Sequence, residues 1–216
     1  MQRCTIVYTF VINYVEMINY SYLALGDSYS IGEQVAFAEN FPNQTVQLLR
    51  RSGFAYYAAE IIAKTGWTTD ELIDAIENTV LLENYDMVSL LIGVNNQYRG
   101  RTVVEFENEL EKLIQKAIQL AGNKPDHVFV LSIPDWGVTP FADGKDRILV
   151  ATDIDAYNAV CNSSAKKFET NFMEITVSQR ADGNKNEFLA LDGLHPSALE
   201  YAKWASKLVD EILKKM

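Results

Sequence analysis

Apolar positions along the chain fall into short runs that alternate with segments of helical period. The runs at about Ser21–Leu25, at Ala59–Ala63 within "AEIIAKTG", in "YDMVSLLIG" and in "HVFVLSIP" read as strands, with a weaker fifth at "FMEITVS". "YDMVSLLIG" is apolar almost throughout, as expected of a strand buried on both faces. Between the runs lie a helix near Gln44–Arg51, one in "TTDELIDAIENTVL", and one in "TVVEFENELEKLIQKAIQLA". In the last of these, Phe106, Leu110, Leu113, Ala117 and Ala121 share a face. Thr68 with Glu71, and Thr102 with Glu105, have the spacing of capping boxes. A further helix is expected at about Asp153–Phe168, and a last one from Pro196, a residue suited to a first helical turn.

Strand–helix alternation repeated about five times predicts an α/β fold: a parallel sheet with helices on both faces. Right-handed crossovers then bring every strand-to-helix turn to one edge, where open sheets of this kind bind ligands. Residues with useful chemistry are therefore sought just after strands.

Ser28 lies there, in "YLALGDSYSIGE", with Gly26 expected to ease a tight turn. The plain alternative is that Asp27 or Ser28 only caps a helix. Gly66 follows the second strand and could turn its N–H into a site. Asn95, in "LLIGVNNQYRG", follows the third and carries an amide able to meet a developing oxyanion. Both also suit ordinary turns. Asp192 and His195, in "LDGLHPSALE", are spaced so that the carboxylate can fold back on the imidazole and fix its tautomer. The other histidine, His127, begins a strand and so belongs to the opposite edge. Trp67 and Trp136 follow strands and could line a pocket or pack beside one, and Trp204 is expected to pack within the last helix. "DWGVTPFADGKDR", Asp135 to Arg147, is a polar connection on the candidate edge.

The set "GDS", Gly66, "GVNN" and "DGLHP", in this order, resembles the GDSL-type (SGNH) serine esterase/lipase family, from about Tyr20 to the C-terminus. The resemblance implies a flavodoxin-like three-layer α/β/α sandwich on a five-stranded parallel sheet. It implies Ser28 as nucleophile, His195 as base, Asp192 as its orienter, and an oxyanion hole of the Ser28 N–H, the Gly66 N–H and the Asn95 amide. No metal or other cofactor is implied. Asn96 stands where the family often has an acid, so the contacts that position Asn95 are expected to differ. A G-x-S-x-G elbow is missing, which argues against the ordinary α/β-hydrolase arrangement.

Composition adds limits. The chain has 216 residues, enough for one well-buried core, and a net charge of −10, which argues against nucleic acid and anionic membranes. Cys4 and Cys161 form no metal or disulfide pattern. "DGNKNE" from Asp182 begins like a calcium loop but has Glu187 where glycine is needed and Gly193 in place of the final acid. Residues 1–19 read as an N-terminal extension and 20–216 as one hydrolase domain. A cytoplasmic location is favoured; were the first residues a signal, the protein would be secreted or periplasmic. The function expected is cleavage of small-molecule carboxylic esters, with short acyl or acetyl groups favoured. The alternative is a degenerate or flavodoxin-like binding module for carbohydrate or a phosphate-bearing ligand. The oligomeric state is left open.

Overall fold

The computed structural model describes residues 19–215, so Cys4 and the expected extension lie outside the described residues, save Asn19. Five strands form one sheet in the order β2-β1-β3-β4-β5: β1 (Tyr22–Asp27), β2 (Glu60–Lys64), β3 (Met87–Leu91), β4 (Val128–Leu131) and β5 (Asn171–Met173). Every pairing is parallel. β1, β3 and β4 are buried along their whole length, which is why they read as continuous apolar runs. β2 lies at an edge and is only half-buried.

The helices are α1 (Ser28–Ile31), α2 (Phe41–Arg51), α3 (Thr69–Glu77), α4 (Val94–Tyr98), α5 (Val103–Leu120), α6 (Arg147–Lys167), α7 (Thr176–Asp182) and α8 (Ala198–Leu213). α2 packs on α8, while α3, α5 and α6 pack side by side. Right-handed crossovers put these two groups on opposite faces of the sheet, giving the expected three layers. Trp204 is buried in α8 against Tyr29, Phe41 and Tyr201, a packing role as expected. Among the described residues, no helix is long and apolar enough to cross a membrane.

Several boundaries differ from the sequence reading, each for a local reason. α2 starts at Phe41, not Gln44, because the Asn40 side chain accepts the Asn43 N–H at 2.9 Å. α3 stops at Glu77, leaving Val80 almost fully exposed. α6 starts six residues before Asp153, where Asp146 accepts the N–H groups of Ile148 and Leu149 at 3.1 and 3.0 Å. Ile148 is 81% exposed, so apolar periodicity could not mark that first turn. β5 is three residues long, and "TVS" opens α7 because Ser132 Oγ accepts the Ile175 and Thr176 N–H groups. Pro196 precedes α8, whose cap is Ser197, accepting the Leu199 N–H.

Candidate active site

The chain reverses its order across the sheet between β1 and β3, and ligands of open α/β sheets bind at such a point. β1 ends at Asp27 and Ser28 opens α1. The cap is Asp27, whose carboxylate accepts the Tyr29 N–H at 3.0 Å, so Ser28 is not spent on capping. Gly26 does not serve a left-handed turn. A Cβ there would strike the Ser30 side chain and the Leu91 carbonyl, so its use is close approach to β3 and α1. Gly66 does take a left-handed conformation, with φ +86°.

Ser28, Gly66, Asn95 and His195 line one cavity of about 170 Å³. Asp192 lies behind the histidine, its Oδ2 at 2.6 Å from His195 Nδ1. Its other oxygen accepts the backbone N–H groups of Leu194 and His195, both at 3.0 Å. Burial works to raise the Asp192 carboxyl, but the hydrogen bond from the His195 ring and those backbone donors hold it below the usual carboxylate range. It therefore stays ionised beside the imidazole. The Tyr29 ring packs on the His195 ring at 5.1 Å between centroids. His127 lies at the amino end of β4, its Nδ1 at 2.7 Å from the Asp86 carbonyl, away from this cavity as expected.

α4 supplies much of the surroundings. The Asn95 Nδ2 donates to the Trp67 carbonyl at 3.0 Å and reaches Asp27 Oδ2 at 3.4 Å. The second contact is long, so that hydrogen is the one an incoming oxygen can take. Asn96 is fully buried and ties the first residue of α3, at the end of the β2–α3 loop, down in two ways. It accepts the Thr69 N–H at 3.1 Å and donates to the Thr69 hydroxyl at 2.6 Å. The Thr69 hydroxyl donates in turn to Glu109. A carboxylate could accept that N–H but could not donate to the hydroxyl, and it would bury a charge. Gln97 accepts the Trp136 indole N–H at 2.8 Å and donates to Asp153 at 3.2 Å. Trp136, Tyr98 and Phe141 meet mutually to wall the cavity. Two of these, Trp136 and Phe141, come from the Asp135–Arg147 connection.

The sequence offered Asp27 only as a possible helix cap, which it is, and did not single out Gln97, Tyr98, Arg99 or Phe141. The signal was present for three of the missed ones: Gln97, Tyr98 and Arg99 lie within four positions of Asn95 after a buried strand. A larger groove, of about 360 Å³, lies between α3 and α5 and holds none of the candidate groups.

Asp27 is fully buried, and burial lifts its carboxyl from 3.8 to about 7 against the hydrogen bonds from Tyr29 and Asn95. A group raised on folding stabilises the fold while protonated, and that contribution is lost as pH rises through the folded value. The wild-type melting temperature should therefore fall relative to Asp27→Asn between about pH 4 and pH 7 and level off above that, the Asn keeping the cap. Melts across that window measure it, and a constant difference would show that Asp27 does not titrate there.

The family model described as GDSL-like Lipase/Acylhydrolase matches residues 24–203. The chain belongs to this family. It is a carboxylic ester hydrolase acting on small-molecule esters, and its fold is that of its GDSL relatives. Among solved structures it is similar to TesA, at 18% identity and a TM-score of 0.72 over 91% of this chain and 99% of that one. It is also similar to the lipase/acylhydrolase of Enterococcus faecalis, at 22% identity and a TM-score of 0.71 over 91% and 96% of the two chains. Axe2, an acetylxylan esterase from Geobacillus stearothermophilus, gives 19% identity and a TM-score of 0.69 over 89% and 94%. No curated protein matches the sequence.

Proposed function

We propose that this GDSL hydrolase cleaves short-chain acyl esters by an acyl-enzyme mechanism, with Ser28 as nucleophile. His195 takes the Ser28 proton as the hydroxyl attacks the ester carbonyl, and Asp192 holds the imidazole in the required tautomer. The N–H groups of Ser28 and Gly66 and the Asn95 amide receive the oxyanion. His195 then protonates the leaving alcohol. A water, activated by the same ring, releases the acid and restores Ser28. The observation that carries this reading is that Ser28, Gly66, Asn95 and His195 share one cavity, with Asp192 hydrogen-bonded behind the histidine.

The size and walls of the cavity support a short acyl group. A dry apolar cavity of about 150 Å³ holds one benzene, so about 170 Å³ accommodates an acyl chain of roughly six carbons. Tyr98, Trp136 and Phe141 offer such a chain aromatic surface, and no charged side chain other than the candidate machinery lines the space.

A serine-reactive phosphonate should label Ser28, and aryl esters from acetate to decanoate should show a steep fall in kcat/KM beyond about six carbons. Failure of both labelling and turnover would favour a binding module. Trp136→Ala should move the preference toward longer acyl groups, raising the octanoate-to-acetate ratio at least about tenfold. An unchanged ratio would remove Trp136 from the acyl wall.

A further inference from the structure

Gly66 has the backbone freedom of a glycine, in a left-handed conformation, in the loop that leaves an edge strand. Such a residue is a poor aiming device unless something outside it fixes its peptide groups. Its Cβ position is no constraint, since only the Arg99 guanidinium lies within 4 Å of it, at 3.7 Å. That same guanidinium reaches the Gly66 carbonyl, Nη2 donating at 2.6 Å. The adjoining Trp67 carbonyl is held by Asn95, and the Thr65 hydroxyl donates to Glu33. Both consecutive carbonyls of the loop are thus gripped by α4 and its C-terminal cap.

We infer that Arg99 is a positioning residue, whose charged hydrogen bond to the Gly66 carbonyl fixes the Gly66–Trp67 peptide and so, across the Gly66 Cα, limits the swing of the Gly66 N–H that serves the oxyanion. The inference rests on the mechanism proposed above. The Gly66 N–H lies in the preceding Thr65–Gly66 peptide, so the Arg99 bond holds it from one side of the Cα while the Thr65 hydroxyl, bonded to Glu33, steadies the other. A charge-assisted bond is roughly twice as strong as a neutral one. The ion pair of Arg99 with Glu71, at 3.3 Å and with both side chains more than 40% exposed, cannot explain the placement of Arg99, because such pairs contribute little.

The test compares Arg99→Met, Arg99→Lys and Glu71→Gln in the full chain by kinetics and by hydrogen exchange at the Gly66 and Trp67 amides. Arg99→Met should lower kcat by about tenfold, a fraction of the 10²–10³ lost with a whole oxyanion donor. KM should stay within about twofold, and exchange at the two amides should speed up. Arg99→Lys should recover most of both effects, and Glu71→Gln should match wild type. The inference is overturned if Arg99→Met leaves the exchange unchanged, if exchange rises with kcat untouched, or if Lys restores neither. Exchange reads the clip without turnover, whereas failure of the hydrolase mechanism would show in wild type as a Ser28 that phosphonate does not label.

Discussion

Ser28→Ala should lower kcat on a short aryl ester by about six orders of magnitude, to the residual rate set by binding and the oxyanion donors. The size of the effect follows from the way a nucleophile, its base and its orienter act as one unit. Without the hydroxyl there is no acyl-enzyme, and His195 has no proton to move. The double variant Ser28→Ala/His195→Ala should therefore be no slower than either single one, a non-additive result that separates a working unit from two independent contacts. Folding is not at risk, since Asp27 provides the α1 cap and Ser28 does not. A single-turnover assay with mass detection of acyl-Ser28 decides the matter. A loss smaller than about tenfold would remove Ser28 as nucleophile.

Asp192→Asn should cost about 10⁴ in kcat, the loss seen when a serine triad carries an amide in place of its acid. The geometry here says which way the amide would turn. Asp192 Oδ1 accepts two backbone N–H groups, and only an oxygen can serve there. The amide NH₂ is then forced to the Oδ2 position, against His195 Nδ1. That nitrogen must become an acceptor, the ring proton moves to Nε2, and the base that should face Ser28 is blocked. The variant should bind substrate with KM little changed and keep its melting temperature, since both backbone bonds survive. Equal losses in stability and kcat would point to a disrupted turn and not to a tautomer. Nitrogen chemical shifts of the imidazole report the tautomer directly.

The legible parts of this protein were those set by period and order. β1, β3 and β4 are buried on both faces, and α5 shows one clean apolar stripe, so pattern alone located them. The parallel sheet then gave an edge on which Ser28, Gly66, Asn95 and His195 do fall together. Polar caps hid the rest. Asp146 starts α6 beneath exposed Ile148, and Ser132, just past the end of β4, starts α7. Neither bond leaves an apolar trace, and the second joins residues more than forty positions apart. The site's supports were hidden similarly. Asp27 reads as a helix cap, yet it is also fully buried beside the nucleophile candidate, and Asn95, Asn96 and Arg99 grip the β2–α3 loop and the first residue of α3 across 27 to 33 positions. The substitution at Asn96 was visible, but the second bond it gains, to the Thr69 hydroxyl, needed the folded chain.

The shortness of α4 has an evolutionary consequence. Within five consecutive positions, Asn95 to Arg99, three residues hold the stretch from Gly66 to Thr69, one of them, Asn95, also being the proposed oxyanion donor, and two shape the aromatic wall. A lineage adapting to a new acyl group by changing Gln97 or Tyr98 would disturb the turnover rate in the same step. The Phe141 side chain, on a separate turn and 43% exposed, makes only ring contacts, with Tyr98 and Trp136, while its backbone N–H, which any residue there would keep, bonds the Gly193 carbonyl. Change in substrate range should therefore accumulate first at the Phe141 side chain, while α4 and the Trp136 it holds stay fixed as the price of speed.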